Sequence, residues 1–392
     1  MTRARGTERE RLHETFAALC RIESPSRHER GCADWLTREL SAMGLEVHED
    51  DAAAAVGGDA GNLHVRIPGA SDTSILFCAH MDTVPLAAPV EPVLGDGIWR
   101  NANDAILGAD NKSAVAIFTE VARRFAVAAG GTPPPIGLEF VFTVCEEISL
   151  LGSAAFDSAR LRSSCGFVFD QATAIGEVVV ASPTHYRILA RLRGRAAHAG
   201  VHPEAGRSAI QAAARAIAAM RLGRLDERTT ANLATIHGGT ALNVVPEHCE
   251  VAAEVRSLDD DRAAAIATEM IDHLQDGADA GECDLDVNLE RMFQGYRHPA
   301  NALPVQIAER ALGACGHAPR RIASGGASDV NSFMLDGLPA VCLADGVQAN
   351  HTSEERVSAQ ALEDMLDVAL TIVEESARAL TDPGDRPGEG AP

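Results

Sequence analysis

The sequence predicts an α/β fold that carries a smaller, inserted α+β domain. Apolar runs typical of buried strands alternate with helical patterns in the first part of the chain. Near residue 183 the pattern changes to a strict alternation of apolar and polar residues, typical of half-exposed antiparallel strands. We therefore expect a discontinuous larger domain at 1–182 and 292–380, with the inserted domain at 183–291.

The elements of the larger domain follow from hydrophobic periodicity. Helical spacing of apolar residues covers 8–22 and 29–43, and a helix of about five turns begins near Asn111. Continuous apolar segments predict four buried strands, at 73–80, 136–144, 165–170 and 339–345. Because strands and helices alternate, we expect a sheet with helices on both faces.

The inserted domain has the predicted order β-α-β-β-α-β. Its strands are indicated by "HYRILARLRG", "TTANLATIHGG", "HCEVAAEVRSL" and "DLDVNLERMF", and its helices by "GRSAIQAAARAIAAMRL" and "DDDRAAAIATEMIDHLQDGA". This order is that of a ferredoxin-like domain. The last residues, 381–392, lack apolar residues for a core and predict a disordered tail.

Composition excludes several classes of function. The 392 residues carry a formal net charge of −22, which repels nucleic acids and anionic lipid surfaces. No segment approaches the ~18 apolar residues of a membrane-spanning helix, and the charged N-terminus lacks the apolar core of a signal peptide. The nine cysteines are scattered and form no C-x-x-C pair, which predicts a reducing cytoplasm.

Potential metal ligands follow the predicted buried strands. Ligands bind at the carboxyl ends of such strands in open α/β sheets. Two imidazoles and five carboxylates lie there or at the start of the long helix: His80, Asp82, Asp110, Glu146, Glu147, Asp170 and His351. A single acid or histidine at such a position is usually a solvated loop residue, so the prediction depends on all seven residues lying at the same edge of the sheet.

This set of side chains favours a metal centre. Glu146 and Glu147 are adjacent acids after a buried strand, and they repel each other unless a cation or proton compensates. Histidine and carboxylate ligands without clustered thiolates suit zinc, cobalt or manganese. Seven such residues exceed the needs of one hydrolytic zinc ion, which favours two metals about 3.5–4 Å apart sharing a carboxylate.

The order of the motifs resembles the co-catalytic di-zinc exopeptidases related to peptidase T and glutamate carboxypeptidase. The motifs are His-x-Asp-Thr at 80–83, Gly-Ala-Asp-Asn-Lys at 108–112, the Glu-Glu pair, Asp170 and a late His-Thr at 351–352. The similarity extends over roughly residues 10–375. It implies the zinc-exopeptidase sheet, with the inserted domain as a lid or dimerisation domain.

The resemblance also implies a ligand set. Asp110 would bridge two zinc ions, with His80 and Asp170 completing one site and Glu147 and His351 the other. Cobalt or manganese remain possible in place of zinc.

Further roles in the same domain are implied by the resemblance. Asp82 would orient His80 and raise its basicity. Glu146 would act as general base, taking a proton from the attacking water and delivering it to the leaving amine. The peptide bond after Asp110 would be cis.

In the inserted domain, the resemblance implies residues that act on the substrate. His198 would reach the active site of a partner subunit in a homodimer and stabilise the oxyanion. Asn243 and Arg256 would hold the substrate, the arginine gripping a carboxylate. Gly325 and Gly326, in "SGGASDVNSF", would offer backbone donors in the substrate pocket.

The sequence departs from the family pattern after the Glu-Glu pair. Relatives often carry glycine soon after these acids, whereas this chain has Ser149 and reaches a glycine only at Gly152. All expected metal ligands are present, so the departure concerns substrate detail.

The function expected from the resemblance is that of a cytoplasmic tripeptide aminopeptidase similar to peptidase T. A dipeptidase, a carboxypeptidase or an N-acyl-amino-acid amidohydrolase on the same scaffold is the nearest alternative, since all share these ligands. Two alternatives come from other classes: a non-catalytic dimeric binding protein, and an α/β protein whose acids only decorate the surface.

Lys112 is the only lysine in the sequence. It begins a predicted helix, where a cation is unfavourable because of the helix dipole, and we expect nearby carboxylates to offset that cost. Relatives often carry lysine here, so the resemblance implies support for the loop that presents Asp110, without a catalytic step.

Overall fold

The computed structural model describes residues 3–381, which form two compact units. The large unit comprises residues 3–180, 298–323 and 328–381, and the small unit comprises residues 181–297 and 324–327. Of the predicted disordered tail, residues 382–392 lie outside the described residues. The prediction is wrong for Thr381, which ends the last helix.

The helices and strands are numbered in chain order. The helices are α1 (Gly6–Cys20), α2 (Arg30–Ala42), α3 (Ala52–Val56), α4 (Ala109–Phe125), α5 (Leu151–Ala155), α6 (Ala209–Ala219), α7 (Asp260–Ala280), α8 (Leu303–Cys315), α9 (Val330–Leu335) and α10 (Ala359–Thr381). The strands are β1 (Val47–Glu49), β2 (Leu63–Ile67), β3 (Ser74–His80), β4 (Pro92–Gly95), β5 (Ile98–Asn101), β6 (Gly137–Thr143), β7 (Ser163–Gln171), β8 (Glu177–Ser182), β9 (Thr184–Arg193), β10 (Gly223–Asp226), β11 (Thr229–Gly238), β12 (His248–Ser257), β13 (Asp284–Phe293), β14 (Tyr296–Arg297), β15 (Arg320–Ala323), β16 (Ala340–Ala344) and β17 (Arg356–Ser358).

The main sheet of the large unit has a parallel centre. Its strands follow the order β1-β2-β6-β3-β7-β16-β8, and β15 also pairs with β8. The four predicted buried strands are β3, β6, β7 and β16, and they are parallel neighbours. Antiparallel strands flank them, β2 on β6 and β8 on β16, so the sheet is mixed. A separate small antiparallel sheet has the order β17-β5-β4.

A continuous apolar core fixes the central strands. Every residue of β3 and β6 is buried, as expected for strands covered on both faces. Phe77 of β3 lies with its ring centroid 5.0 Å from that of Phe118 on α4, and 5.8 Å from that of Phe140 on β6. Helix α4 contacts β3 and β7 and packs against α1 and α10, which confirms the predicted α/β layering.

The small unit confirms the predicted ferredoxin-like order. Its antiparallel sheet runs β10-β11-β12-β9-β13, and α6 and α7 pack against each other and against β9 and β12. Strand β9 alternates between buried and exposed positions along most of its length, as the period-two pattern predicted. Strand β10 is an addition that the sequence did not reveal. In both units, the described helices include none that is long and apolar enough to cross a membrane.

Candidate active site

The predicted metal ligands of the large unit gather at the carboxyl ends of its parallel strands. His80 is the last residue of β3, Asp170 is near the end of β7, and Glu146 and Glu147 follow β6 after two intervening residues. His351 lies in the loop between β16 and β17. Because these strands are parallel neighbours, their carboxyl ends bring the side chains to one edge of the sheet.

Asp110 lies between two histidines. Its Oδ1 is 3.2 Å from His80 Nε2, and its Oδ2 is 3.3 Å from His351 Nε2. Asp170 Oδ1 lies 3.3 Å from the same nitrogen of His80, and Glu147 Oε1 lies 3.0 Å from that of His351. Each oxygen of Asp110 therefore belongs to a separate group of one histidine and one further carboxylate.

These groups fit two metal ions. Zinc–nitrogen and zinc–oxygen bonds of about 2.1 Å place tetrahedral ligand atoms about 3.4 Å apart, and the spacings within both groups are close to that value. The ligand atoms of His80, Asp110 and Glu147 lie within 4.8 Å of one another, and so do those of His80, Glu146 and Asp170. The spacing in each group therefore suits a metal ion, and Asp110 offers one oxygen to each group.

Electrostatics at the site also favours bound cations. Burial raises the pKa of Glu146 well above its ordinary value, and the charge of Asp170 adds to this effect. Burial likewise raises the pKa of Asp170. For Asp110, hydrogen bonds from His351 and His80 outweigh burial and lower the pKa. Buried acids and imidazoles so close together need compensating charge, which divalent ions would supply.

Asp82 connects His80, the last residue of β3, to the turn after β6. Its main-chain oxygen lies 2.9 Å from His80 Nδ1 and accepts a hydrogen bond, so Nε2 is left to face Asp110. Its carboxylate oxygens accept the amides of Glu146 and Glu147, at 3.0 and 3.1 Å. Its carboxylate is farther from His80 Nδ1, at 3.4 Å. The main-chain oxygen of Asp82, and not its carboxylate, therefore accepts the hydrogen bond that orients His80.

Comparison with known proteins gives the family. Residues 187–282 match a peptidase dimerisation domain of the M20 type, and residues 62–206 match peptidase family M28. The Bacillus subtilis (strain 168) protein YqjE is 35% identical over 371 residues, covering 94% of this chain and 99% of YqjE. The structure of aminopeptidase PepT from Bacillus cereus ATCC 10987 is 36% identical, with a TM-score of 0.84 and coverage of 94% and 99%. That of a tripeptidase from Staphylococcus aureus subsp. aureus Mu50 is 33% identical, with a TM-score of 0.88 and the same coverage.

The chain belongs to the peptidase T-like M20 metallopeptidases. It is therefore a metal-dependent peptidase, a hydrolase that acts on peptide bonds. The small unit contains the matched dimerisation domain.

Glu355 is a residue of this peptidase T-like site that the sequence reasoning did not assign. It is buried, and its Oε2 accepts the amides of Leu107 and Gly108 at 2.7 and 2.8 Å, while Oε1 accepts that of Asp110 at 2.9 Å. The three backbone amides that donate to this one carboxylate fix the loop that presents Asp110. Its only sequence signal is its place four residues after His351 in "HTSEE".

Two amides complete the surroundings of the carboxylates. Asn350 Nδ2 donates to Asp110 Oδ2 at 2.7 Å, and Asn111 Nδ2 donates to Asp170 Oδ1 at 3.1 Å. The Asp110–Asn111 peptide bond is cis, which confirms the expectation from the family resemblance.

Lys112 is buried in the large unit, and its ammonium group is hydrogen-bonded to the main chain. Its Nζ donates to the main-chain oxygen of Ile22, and no carboxylate among residues 3–381 forms an ion pair with it. Burial lowers the pKa of Lys112. The charges of Asp82 and Glu355 oppose this lowering, in line with the expectation that nearby carboxylates offset the cost of the cation.

The departure after the Glu-Glu pair coincides with unusual backbone geometry. Ser149 and Leu150 have φ angles of 80° and 62°, in the left-handed region that glycine adopts most readily. Gly152 must remain glycine, because a Cβ there would overlap the main-chain oxygen of Val144. The chain thus places serine and leucine at positions whose backbone conformation favours glycine.

The small unit presents the other predicted residues. Ala199 N donates to Asn243 O at 2.9 Å, and a β-bridge joins His198 to Val244, so exposed His198 and Asn243 lie on one two-stranded ribbon. Arg256 contacts Glu254 through Nη2 at 3.2 Å, and its Nη1 donates to Gly325 O at 3.5 Å.

Proposed function

We propose that this enzyme is an aminopeptidase that removes the N-terminal residue from short peptides, tripeptides in particular. The observation that carries the proposal is its identity of 33–36% to an aminopeptidase and a tripeptidase, over 99% of their chains. The metal-ligand residues support hydrolysis but are shared with dipeptidases, carboxypeptidases and amidohydrolases. The choice among these rests on the overall similarity.

The proposed cofactor is a pair of zinc ions. His80, Asp170 and one oxygen of Asp110 would hold one ion, and His351, Glu147 and the other oxygen of Asp110 would hold the second. The imidazole and carboxylate donors support zinc, and they also accept cobalt or manganese. When bound, such ions supply Lewis acidity that polarises the scissile carbonyl group.

Glu146 is the proposed general base. Its buried carboxyl group has a raised pKa, which favours acceptance of a proton from the attacking water. The oxygen of that water bonds to the carbonyl carbon, the C–N bond breaks, and Glu146 returns the proton to the leaving nitrogen. Asp82 supports this role because it holds the amide of Glu146 in place.

We also propose a homodimer in which His198 acts on the partner's substrate. The matched dimerisation domain and the exposed ribbon bearing His198 support it. In the same proposal Asn243, Arg256, Gly325 and Gly326 contact the substrate.

Mixing His198→Ala with Glu146→Gln subunits should restore about a quarter of wild-type activity, because half of randomly paired dimers are hybrids with one complete site. No restoration would contradict action in trans.

The cytoplasm is the proposed location. All nine cysteines are free thiols in the structure, and eight of them are buried. Buried thiols without disulfide partners are typical of proteins from reducing compartments.

A panel of free and N-acetylated di- and tripeptides tests the proposed specificity. We expect the highest kcat/KM with free tripeptides and loss of cleavage on N-acetylation. Cleavage of blocked peptides would favour a carboxypeptidase or an amidohydrolase, and preference for dipeptides would favour a dipeptidase. Metal-loaded protein that binds peptides without cleaving any would favour the non-catalytic binding protein.

A further inference from the structure

The segment between α1 and α2 reaches the strand ends that carry the metal ligands. Ser24 Oγ donates to the main-chain oxygen of Met81 at 2.8 Å, and Ser26 Oγ donates to Asp82 Oδ2 at 2.6 Å. The sequence alone predicts only a turn between two helices for this segment. In the structure its side chains support the loop that follows His80.

Four consecutive amides of the turn after β6 are held by side chains. This turn, residues 144–147, carries both Glu146 and Glu147. The four hydrogen bonds run from Val144 N to Asn62 Oδ1 at 3.1 Å, from Cys145 N to Glu29 Oε1 at 2.9 Å, from Glu146 N to Asp82 Oδ1 at 3.0 Å and from Glu147 N to Asp82 Oδ2 at 3.1 Å.

Glu29 holds the turn at its most constrained residue. Cys145 has a φ of 54°, which is uncommon for any residue with a side chain and persists only when its surroundings enforce it. Glu29 Oε1 accepts the amide of Cys145 and also that of Arg27, at 3.0 Å, whose φ is 75°. One carboxylate oxygen therefore fixes two left-handed residues.

The cost of burying Glu29 indicates a specific role. Its relative exposure is 0%, and its second oxygen, Oε2, is buried with no hydrogen-bond partner among the described residues. Burial raises the pKa of Glu29. It occupies the N-cap position of α2, yet its side chain does not cap that helix. The carboxylate thus serves the turn after β6 and not its own helix.

We propose that Glu29 is a positioning residue that holds the 144–147 turn and thereby places Glu146 and Glu147 for the reaction. The inference rests on the proposed roles of these two glutamates. Hydrogen bonds to a carboxylate are shorter and stronger than neutral ones, which suits a residue that fixes a strained backbone.

The test compares Glu29→Ala, Glu29→Gln and the control Asp34→Ala in the full-length, metal-loaded enzyme. Asp34 is also on α2, and its side chain is 62% exposed. Hydrogen exchange followed by mass spectrometry reports on the amides of the turn, and kinetics separate kcat from KM. For Glu29→Ala we expect faster exchange at residues 144–147 and at Arg27, whose amide also bonds to Glu29, and a kcat about 10- to 100-fold lower at a KM within about threefold.

Glu29→Gln keeps an acceptor oxygen but loses the charge, so both readouts should lie between those of Glu29→Ala and wild type. Asp34→Ala should match wild type. Wild-type exchange and kcat in Glu29→Gln would overturn the proposal, even if Glu29→Ala fails to fold. Hydrogen exchange does not depend on turnover, so it tests whether Glu29 holds the turn even if the peptidase proposal fails. The peptide panel tests the peptidase proposal separately.

Discussion

At the scale of single residues, the site depends on carboxylates placed where water cannot easily solvate them. Asp110 faces an imidazole with each of its oxygens, and buried Glu146 lies close to His80 and Asp170. Such an arrangement is costly for a surface loop and useful for holding cations. The same burial that disfavours the charge of Glu146 makes it a stronger base.

The first prediction tests whether Glu146 acts as the general base or as a metal ligand. Glu146→Gln preserves the shape of the side chain but removes its ability to take a proton, so kcat should fall about 100- to 10,000-fold. Metal content, measured by elemental analysis after gel filtration, should equal that of wild type. Unchanged turnover would remove Glu146 from the proton transfer, and loss of metal would make it a ligand.

The second prediction concerns pH and metal binding. In the metal-free protein, hydrogen bonds to Asp110 and then Glu147 raise the pKa of His351 to about 10. Its protonated form therefore stabilises the metal-free fold fully below about pH 6.5, the unfolded value, and this contribution is lost as pH rises through about 10.

Because a metal must displace that proton, apparent metal affinity should rise across this window. Chelator competition between pH 6.5 and 10 measures it, and His351→Asn should release about one proton fewer on binding. A pH-independent affinity would contradict the assigned role of His351.

At the scale of elements, the loop before α4 depends on Glu355. The carboxylate accepts three amides of the loop that presents Asp110, and glutamine offers only one acceptor oxygen in its place. Glu355→Gln should therefore weaken metal binding about 10- to 100-fold. The neighbouring, exposed Glu354 provides the matched control, Glu354→Gln, with wild-type affinity. Equal affinities for both variants would show that the loop holds Asp110 without this carboxylate.

The central strands of the large unit and the helices α1, α2, α4, α6 and α7 show what sequence patterns can predict. The strands β3, β6, β7 and β16 are mostly apolar, with buried Glu139 an exception in β6, so their burial and the chemistry at their ends could be predicted. The flanking strand β1 has only three residues, too few to show a period.

The supports of the site could not be predicted in the same way. Glu29 and Glu355 act through hydrogen bonds to backbone amides that are distant in sequence, 116 residues away for Cys145 and 245 for Asp110. No local periodicity marks such contacts, and a single acid in a chain with 56 Asp and Glu residues is not distinctive. For Lys112, the helix-end position indicated nearby carboxylates, but its hydrogen bond to the main-chain oxygen of Ile22 depends on tertiary packing and has no sequence signal.

At the scale of the whole molecule, the protein has a large unit with two clusters of potential metal ligands and a small unit that contains the matched dimerisation domain. The large unit carries the proposed ligands and base, and the small unit carries His198 and Asn243, for which a role toward the substrate is proposed. The central claim is that two divalent ions on the large unit are required for peptide hydrolysis.

Metal reconstitution tests that claim most directly. The full-length enzyme is stripped with a chelator, and zinc or cobalt is added back in fractions of an equivalent while bound metal and hydrolysis of a free tripeptide are measured together. We predict that stripped protein is inactive and that activity reaches its plateau at about two bound ions per subunit. Full activity in protein with well under one bound ion, or no hydrolysis after two ions have bound, would contradict the account.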